Sequence, residues 1–170
     1  MNQFLIATHS TLAEGLANAI HFFNSDAANI HYINAYVEDN EFEKALRAKL
    51  AAMEPGNLVI LTDLAGGSVN QIAAKLMREI PFVLVTGVNF PLVLEMVYQS
   101  EDITPELAVQ IVERARAEMM CMNTLNAEAE DADPVSYTHL LQRIETGLQA
   151  MEETGCADDV TVLIARVSKR

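Results

Sequence analysis

Phe4-Leu5-Ile6-Ala7-Thr8-His9-Ser10-Thr11-Leu12-Ala13-Glu14 decides the fold. Four apolar residues in succession are too few for a helix and suit a short strand covered on both faces, as parallel sheets require. Thr11, followed three residues later by Glu14, has the form of a capping box that opens a helix. The spacing predicts strand, loop and helix in turn, with His9 in the loop. In an open parallel sheet such a loop leaves the carboxyl end of a strand, where backbone N–H groups and helix dipoles converge on ligands. An imidazole there faces an anion site, although one loop histidine taken alone reads equally well as a solvated one.

Working outward, Leu12, Leu16, Ala17, Ile20 and Phe23 recur at helical spacing. A β-branched and aromatic run at 30–37 predicts a second strand, and Phe42, Ala45, Leu46, Leu50 and Met53 a second helix, stopped by Pro55-Gly56. Leu58-Val59-Ile60-Leu61-Thr62 is the clearest buried strand, and Asp63-Leu64-Ala65-Gly66-Gly67-Ser68 follows it as a polar turn into a third helical stripe. A fourth strand at 82–86 runs into Asn89-Phe90-Pro91, with Pro91 suited to a first helical turn, and Thr104-Pro105 opens a further helix. Four strands alternating with helices imply an α/β doubly wound, mostly parallel four-stranded sheet with helices on both faces.

The organisation expected is a domain over 1–123, an acidic linker over 124–134, and a C-terminal helix and strand over 135–170. That last strand pairs at an edge of its own sheet or swaps into that of another subunit. Met119, Met120, Cys121 and Met122 read as core filling, and Cys121 and Cys156 as buried inert thiols outside any metal-ligand spacing. His21, His31 and His139 read as surface or satisfied residues.

Eleven basic residues against 24 acidic ones leave a net charge of −13 in 170 residues, which repels nucleic acid and anionic lipid. No apolar run approaches the roughly 20 residues that cross a bilayer, and the amino terminus lacks signal-peptide features, so a soluble cytoplasmic protein is expected.

In one parallel sheet, His9, the turn from Asp63 to Ser68, and Asn89 fall on the same edge. A carboxylate beside an imidazole holds one tautomer and leaves the other nitrogen free to attack, which makes Asp63 the candidate partner of His9. Gly66 and Gly67 let backbone N–H groups approach a phosphate, and Ser68 adds a hydroxyl near a helix start. Alone, the two glycines are a plain turn. No lysine follows them in the manner of a nucleotide-binding loop. Residues 1–43 and 57–70 contain no Lys or Arg. A phosphatase that transfers to water wants arginines on the phosphoryl group, whereas a site of dipoles and hydroxyls suits a protein that passes the group on.

Ala7-Thr8-His9-Ser10, Leu61-Thr62-Asp63-Leu64-Ala65-Gly66-Gly67-Ser68 and Thr86-Gly87-Val88-Asn89-Phe90-Pro91-Leu92-Val93-Leu94-Glu95 resemble the three signatures of the mannose-class enzyme IIA domain of the bacterial sugar phosphotransferase system. The resemblance covers 1–123. It implies that His9 accepts the phosphoryl group, that Asp63 is its hydrogen-bond partner, and that Ser68 binds the group together with Gly66, Gly67, Thr8 and Ser10. It implies no metal and no other cofactor. Such domains take phosphate from the histidine-containing phosphocarrier protein and give it to an enzyme IIB partner for coupled sugar uptake. They are typically homodimers. The family often has glycine where Ala7 and Ser10 stand, and an aromatic or leucine at Ala65. The alternative reading is a non-catalytic regulatory or interaction module on the same fold.

Overall fold

Strand and helix alternate from residue 2 to residue 97. A computed structural model describes residues 1–24, 29–37, 39–121 and 123. Strands β1 (Asn2–His9), β2 (Ile30–Ala35), β3 (Asn57–Thr62) and β4 (Val83–Thr86) alternate with helices α1 (Leu12–Phe23), α2 (Phe42–Ala52), α3 (Ser68–Leu76), α4 (Phe90–Val97) and α5 (Pro105–Ala117). Among the described residues every pairing is parallel, in the order β2-β1-β3-β4. Met1–Met119 form one compact unit.

Period-two alternation divides the apolar run of β1 between two cores. Phe4 and Ile6 face α1, α4 and α5, packing with Leu16, Ile20, Val93, Met96 and Ile111. Leu5 and Ala7 face α2 and α3, packing with Leu46, Val69, Ala73 and Leu76. All four are fully buried. The sheet is therefore doubly wound, and its central strand, β1, ends at the edge where the loops gather.

Several expectations change. β1 has eight residues because Asn2 and Gln3, though polar, are buried within it. Asn2 Nδ2 donates to the Glu101 carbonyl at 2.8 Å, and its Oδ1 accepts from the Ile103 N–H at 3.0 Å and from Asn57 Nδ2 at 2.8 Å. These bonds fasten the α4–α5 connection to the amino ends of β1 and β3. At the opposite end, His9 is the last strand residue and not a loop residue, paired in register with Ala35.

The capping box does not form. Thr11 sits at φ −93°, ψ 12° and its side chain makes no cap bond, since an N-cap side chain reaches back only from an extended backbone. Asn34 of β2 replaces it. Its Oδ1 accepts from the Glu14 N–H at 3.2 Å, and its Nδ2 donates to Glu14 Oε2 at 2.9 Å. The helix starts expected at Pro91 and at Thr104-Pro105 hold, each with a side-chain cap: Asn89 accepts from the Leu92 N–H at 2.9 Å, and Thr104 from the Leu107 N–H at 3.3 Å.

Met119, Met120 and Cys121 do not fill the core. Met119 and Met120 are 66% and 50% exposed and Cys121 is exposed, because the inward stripe of α5 ends at Ala115 and the helix at Ala117. The buried-thiol reading of Cys121 is corrected accordingly. The linker at 124–134 and the helix and strand at 135–170, with His139 and Cys156, lie outside the described residues. Among the described residues no helix is long and apolar enough to cross a membrane.

Candidate functional site

Three strand ends build the site. β1 ends on His9, β2 ends one residue before Tyr36, and β3 is followed directly by Asp63. Asp63 reaches across to the neighbouring strand. Its Oδ2 accepts from the His9 backbone N–H at 2.9 Å and lies 2.9 Å from Nδ1 of the His9 ring, with Oδ1 3.2 Å from the same nitrogen. A carboxylate only accepts, so Nδ1 carries the ring proton. Nε2 then presents its lone pair, and the Ser68 hydroxyl, 3.2 Å away, donates to it.

Asp63 stays ionised for identifiable reasons. Burial pushes its pKa up, but the His9 backbone N–H, the His9 ring, the Leu64 N–H at 2.8 Å and attraction to the imidazole outweigh it, and the carboxyl lies below the ordinary aspartate range. The His9 side chain is 38% exposed and that of Asp63 16%, so the imidazole is open to a partner while the carboxylate is sheltered.

The loop after Asp63 is shaped by its glycines. Gly66 takes φ +72°, where a side chain is strained. Gly67 makes a close approach: a Cβ there would stand 3.1 Å from the Leu64 carbonyl oxygen and 3.3 Å from His9 Cε1. Asn70 braces the loop, its Oδ1 accepting from the Gly66 N–H at 3.1 Å and its Nδ2 donating to Thr62 Oγ1 at 3.1 Å. The Gly66 and Gly67 N–H groups are both engaged inside the loop, the latter on the Leu64 carbonyl at 3.0 Å. The backbone N–H groups left without a side-chain cap are those that open α3, where Gly67 is the N-cap.

The remaining predicted residues fare differently. Ser10 is exposed at φ +54°, and its N–H donates to the Ala35 carbonyl at 3.0 Å. Thr8 is fully buried, its hydroxyl directed to the His9 carbonyl at 3.4 Å, and is not brought to the open face. Strand alternation turns it away from the side that His9 occupies. Asn89, on the same sheet edge, is committed to capping α4. His21 is satisfied by the Ala17 carbonyl at 2.7 Å, and His31 is partly buried with its pKa lowered by desolvation and by Lys49. Two contributors carry no signal of their own in the sequence, Asn70 and Tyr36. The Tyr36 ring lies 5.5 Å from that of His9, centre to centre. Among the described residues no group of three or more His, Cys, Asp or Glu is placed to hold a metal ion.

Fold and site together define an α/β protein with a carboxylate-held, partner-accessible histidine at the carboxyl edge of a parallel sheet. Residues 3–113 match the family model of the mannose-class IIA component, described as the phosphotransferase-system fructose IIA component, and the chain belongs to that family. It is thus a sugar-transport phosphotransferase-system IIA protein, of a family whose general activity is phosphotransfer. No curated protein matches the chain. Among solved structures it is similar to a protein of Klebsiella pneumoniae subsp. pneumoniae MGH 78578 described as a phosphoenolpyruvate-dependent sugar phosphotransferase system permease, at 26% identity and a TM-score of 0.65, covering 72% of this chain and 91% of that one. The mannose/sorbose-specific IIA subunit of Enterococcus faecalis, at 20% identity, a TM-score of 0.63 and 71% and 93% coverage, shares the fold. So does the IIA protein associated with the fucose utilization operon of Streptococcus pneumoniae, at 24% identity, a TM-score of 0.61 and 73% and 95% coverage.

Proposed function

We propose that His9 is the residue of this IIA protein that carries the phosphoryl group, accepting it from the histidine-containing phosphocarrier protein and handing it to an enzyme IIB partner. The observation that carries the reading is the clamp on Nδ1: with its proton directed at Asp63, 2.9 Å away, Nε2 is the nucleophilic nitrogen and is the one beside Ser68. The Nε2 lone pair attacks the donor's phosphorus in line, the donor's N–P bond breaks, and its electron pair returns to the donor's ring nitrogen. The ring of His9, substituted at Nε2 and still protonated at Nδ1, becomes an imidazolium held by the Asp63 carboxylate. The Ser68 hydroxyl turns from Nε2 to a phosphoryl oxygen, and the uncapped N–H groups opening α3 bind the others.

Transfer onward reverses these steps toward the acceptor's side chain. In this scheme the sugar never meets the site, so the site takes no part in choosing it. Family membership supports action as a homodimer, which sedimentation of the full chain checks. The deciding experiment incubates the protein with phosphoenolpyruvate, enzyme I and the phosphocarrier protein, and reads acid-labile phosphate on wild type and His9→Ala. Transferable label on wild type alone is expected. Rapid release of inorganic phosphate would make the protein a hydrolase, and an unlabelled wild type a non-catalytic module.

A further inference from the structure

The His9 ring is flanked by groups already described: Asp63 at Nδ1, Ser68 at Nε2 and Gly67, where a Cβ would stand 3.3 Å from Cε1. The fourth neighbour is Tyr36, and its backbone is unusual. Tyr36 takes φ +62°, a left-handed conformation that is a genuine outlier for a bulky side chain and strains the backbone. That conformation ends β2 at Ala35. It accompanies a ring placement 5.5 Å from the His9 ring, tilted 37°, and 6.3 Å from the ring of the buried Phe42. The surroundings hold this geometry firmly: the Ala35 carbonyl accepts from the Ser10 N–H, and Asn34 is locked to Glu14.

We infer that Tyr36 is a positioning residue for His9, its aromatic ring steadying the imidazolium created when Nε2 takes the phosphoryl group. The inference rests on the phosphoryl-carrier reading above. Its physical basis is that the phosphorylated ring, retaining its Nδ1 proton, is cationic, and a cation over the face of an aromatic ring, within about 6 Å of its centre, is attracted by the ring's quadrupole. The hydroxyl plays no part in this, so phenylalanine should serve as well as tyrosine. The strained backbone is the cost of holding the ring where the cation forms.

The test equilibrates full-length wild type, Tyr36→Phe, Tyr36→Leu and Tyr36→Gly with a fixed ratio of phosphorylated to unphosphorylated phosphocarrier protein. The fraction of each variant carrying acid-labile phosphate is read beside its melting temperature. Wild type and Tyr36→Phe should reach the same phosphorylated-to-free ratio. Tyr36→Leu and Tyr36→Gly should fall about two- to fivefold, the worth of a cation–π contact at a half-exposed site. Tyr36→Gly should do so without melting below Tyr36→Leu, because glycine adopts a positive φ freely. Equal ratios in all four proteins overturn the inference, and so does a fall in Tyr36→Phe matching that in Tyr36→Leu. A wild type that takes no phosphate from the donor overturns the carrier reading itself, and this inference with it.

Discussion

Asp63 Oδ2 receives two hydrogen bonds from one residue, the backbone N–H and the ring Nδ1–H of His9, each at 2.9 Å. The same oxygen joins β1 to the segment after β3 and sets the tautomer of the imidazole. Asp63→Asn should therefore impair both structure and transfer, since an amide at that position either fails to accept both N–H groups or aims a donor at one of them. Rapid-quench measurement of phosphoryl transfer should show a loss of about 10²–10⁴-fold. Chemical denaturation should show a cost of about 1–3 kcal/mol. A variant with the wild-type transfer rate would mean that the imidazole needs no carboxylate.

The depressed pKa of Asp63 makes stability depend on pH with a defined sign. Because the folded carboxyl holds its proton less tightly than the unfolded one, its contribution is complete above the ordinary aspartate value of about 3.9. It is lost as pH falls through the lower folded value. Urea titrations between about pH 2.5 and 5 should give a difference in stability between wild type and Asp63→Asn that shrinks with acidification. A difference that stays constant across that window contradicts the assignment.

Adjacent glycines should respond differently to alanine. At Gly67 the added methyl group presses on the Leu64 carbonyl and on His9 Cε1, so the imidazole or the loop moves by a few tenths of an ångström. Transfer should slow by about tenfold, in keeping with the sensitivity of positioned groups to small displacements. At Gly66 a methyl group meets nothing within 4 Å but must adopt φ +72°. Gly66→Ala should cost about 1 kcal/mol of stability and leave the transfer rate near wild type.

The start of α1 offers a test of long-range capping. Glu14→Ala and Asn34→Ala should each destabilise by about 1 kcal/mol, and the double variant by less than their sum, because both remove the bond from Asn34 Nδ2 to Glu14 Oε2. Thr11→Ala should change stability by less than about 0.5 kcal/mol, since its side chain makes no cap bond. Thermal or urea denaturation of the four proteins decides the matter, and a large Thr11 effect would restore the local capping box.

Much of this molecule is readable from local chemistry. The apolar runs at Phe4 and Leu58 could only be strands buried on both faces, which forces helices onto both sides of the sheet and brings the ends carrying His9 and Asp63 to one edge. Pro91 and the Thr104-Pro105 pair mark helix starts because their preferences act within a single turn. What escaped the sequence involves partners distant along the chain. The replacement of Thr11 by Asn34 as the cap, and the burial of Asn2 against residues 101 and 103, depend on which strand lies beside which.

Sequence alone determined the fold class, the family signatures and the two residues at the centre of the site, because periodicity and residue chemistry are local properties that survive any arrangement of the loops. Only the tertiary structure decided that Thr8 faces inward, that the Gly66 and Gly67 N–H groups are occupied within their loop, and that Tyr36 in a left-handed conformation lies against His9. Those outcomes follow from strand register and from the φ and ψ of single residues. One step of register or one backbone flip would reverse each of them without altering a single letter of the chain.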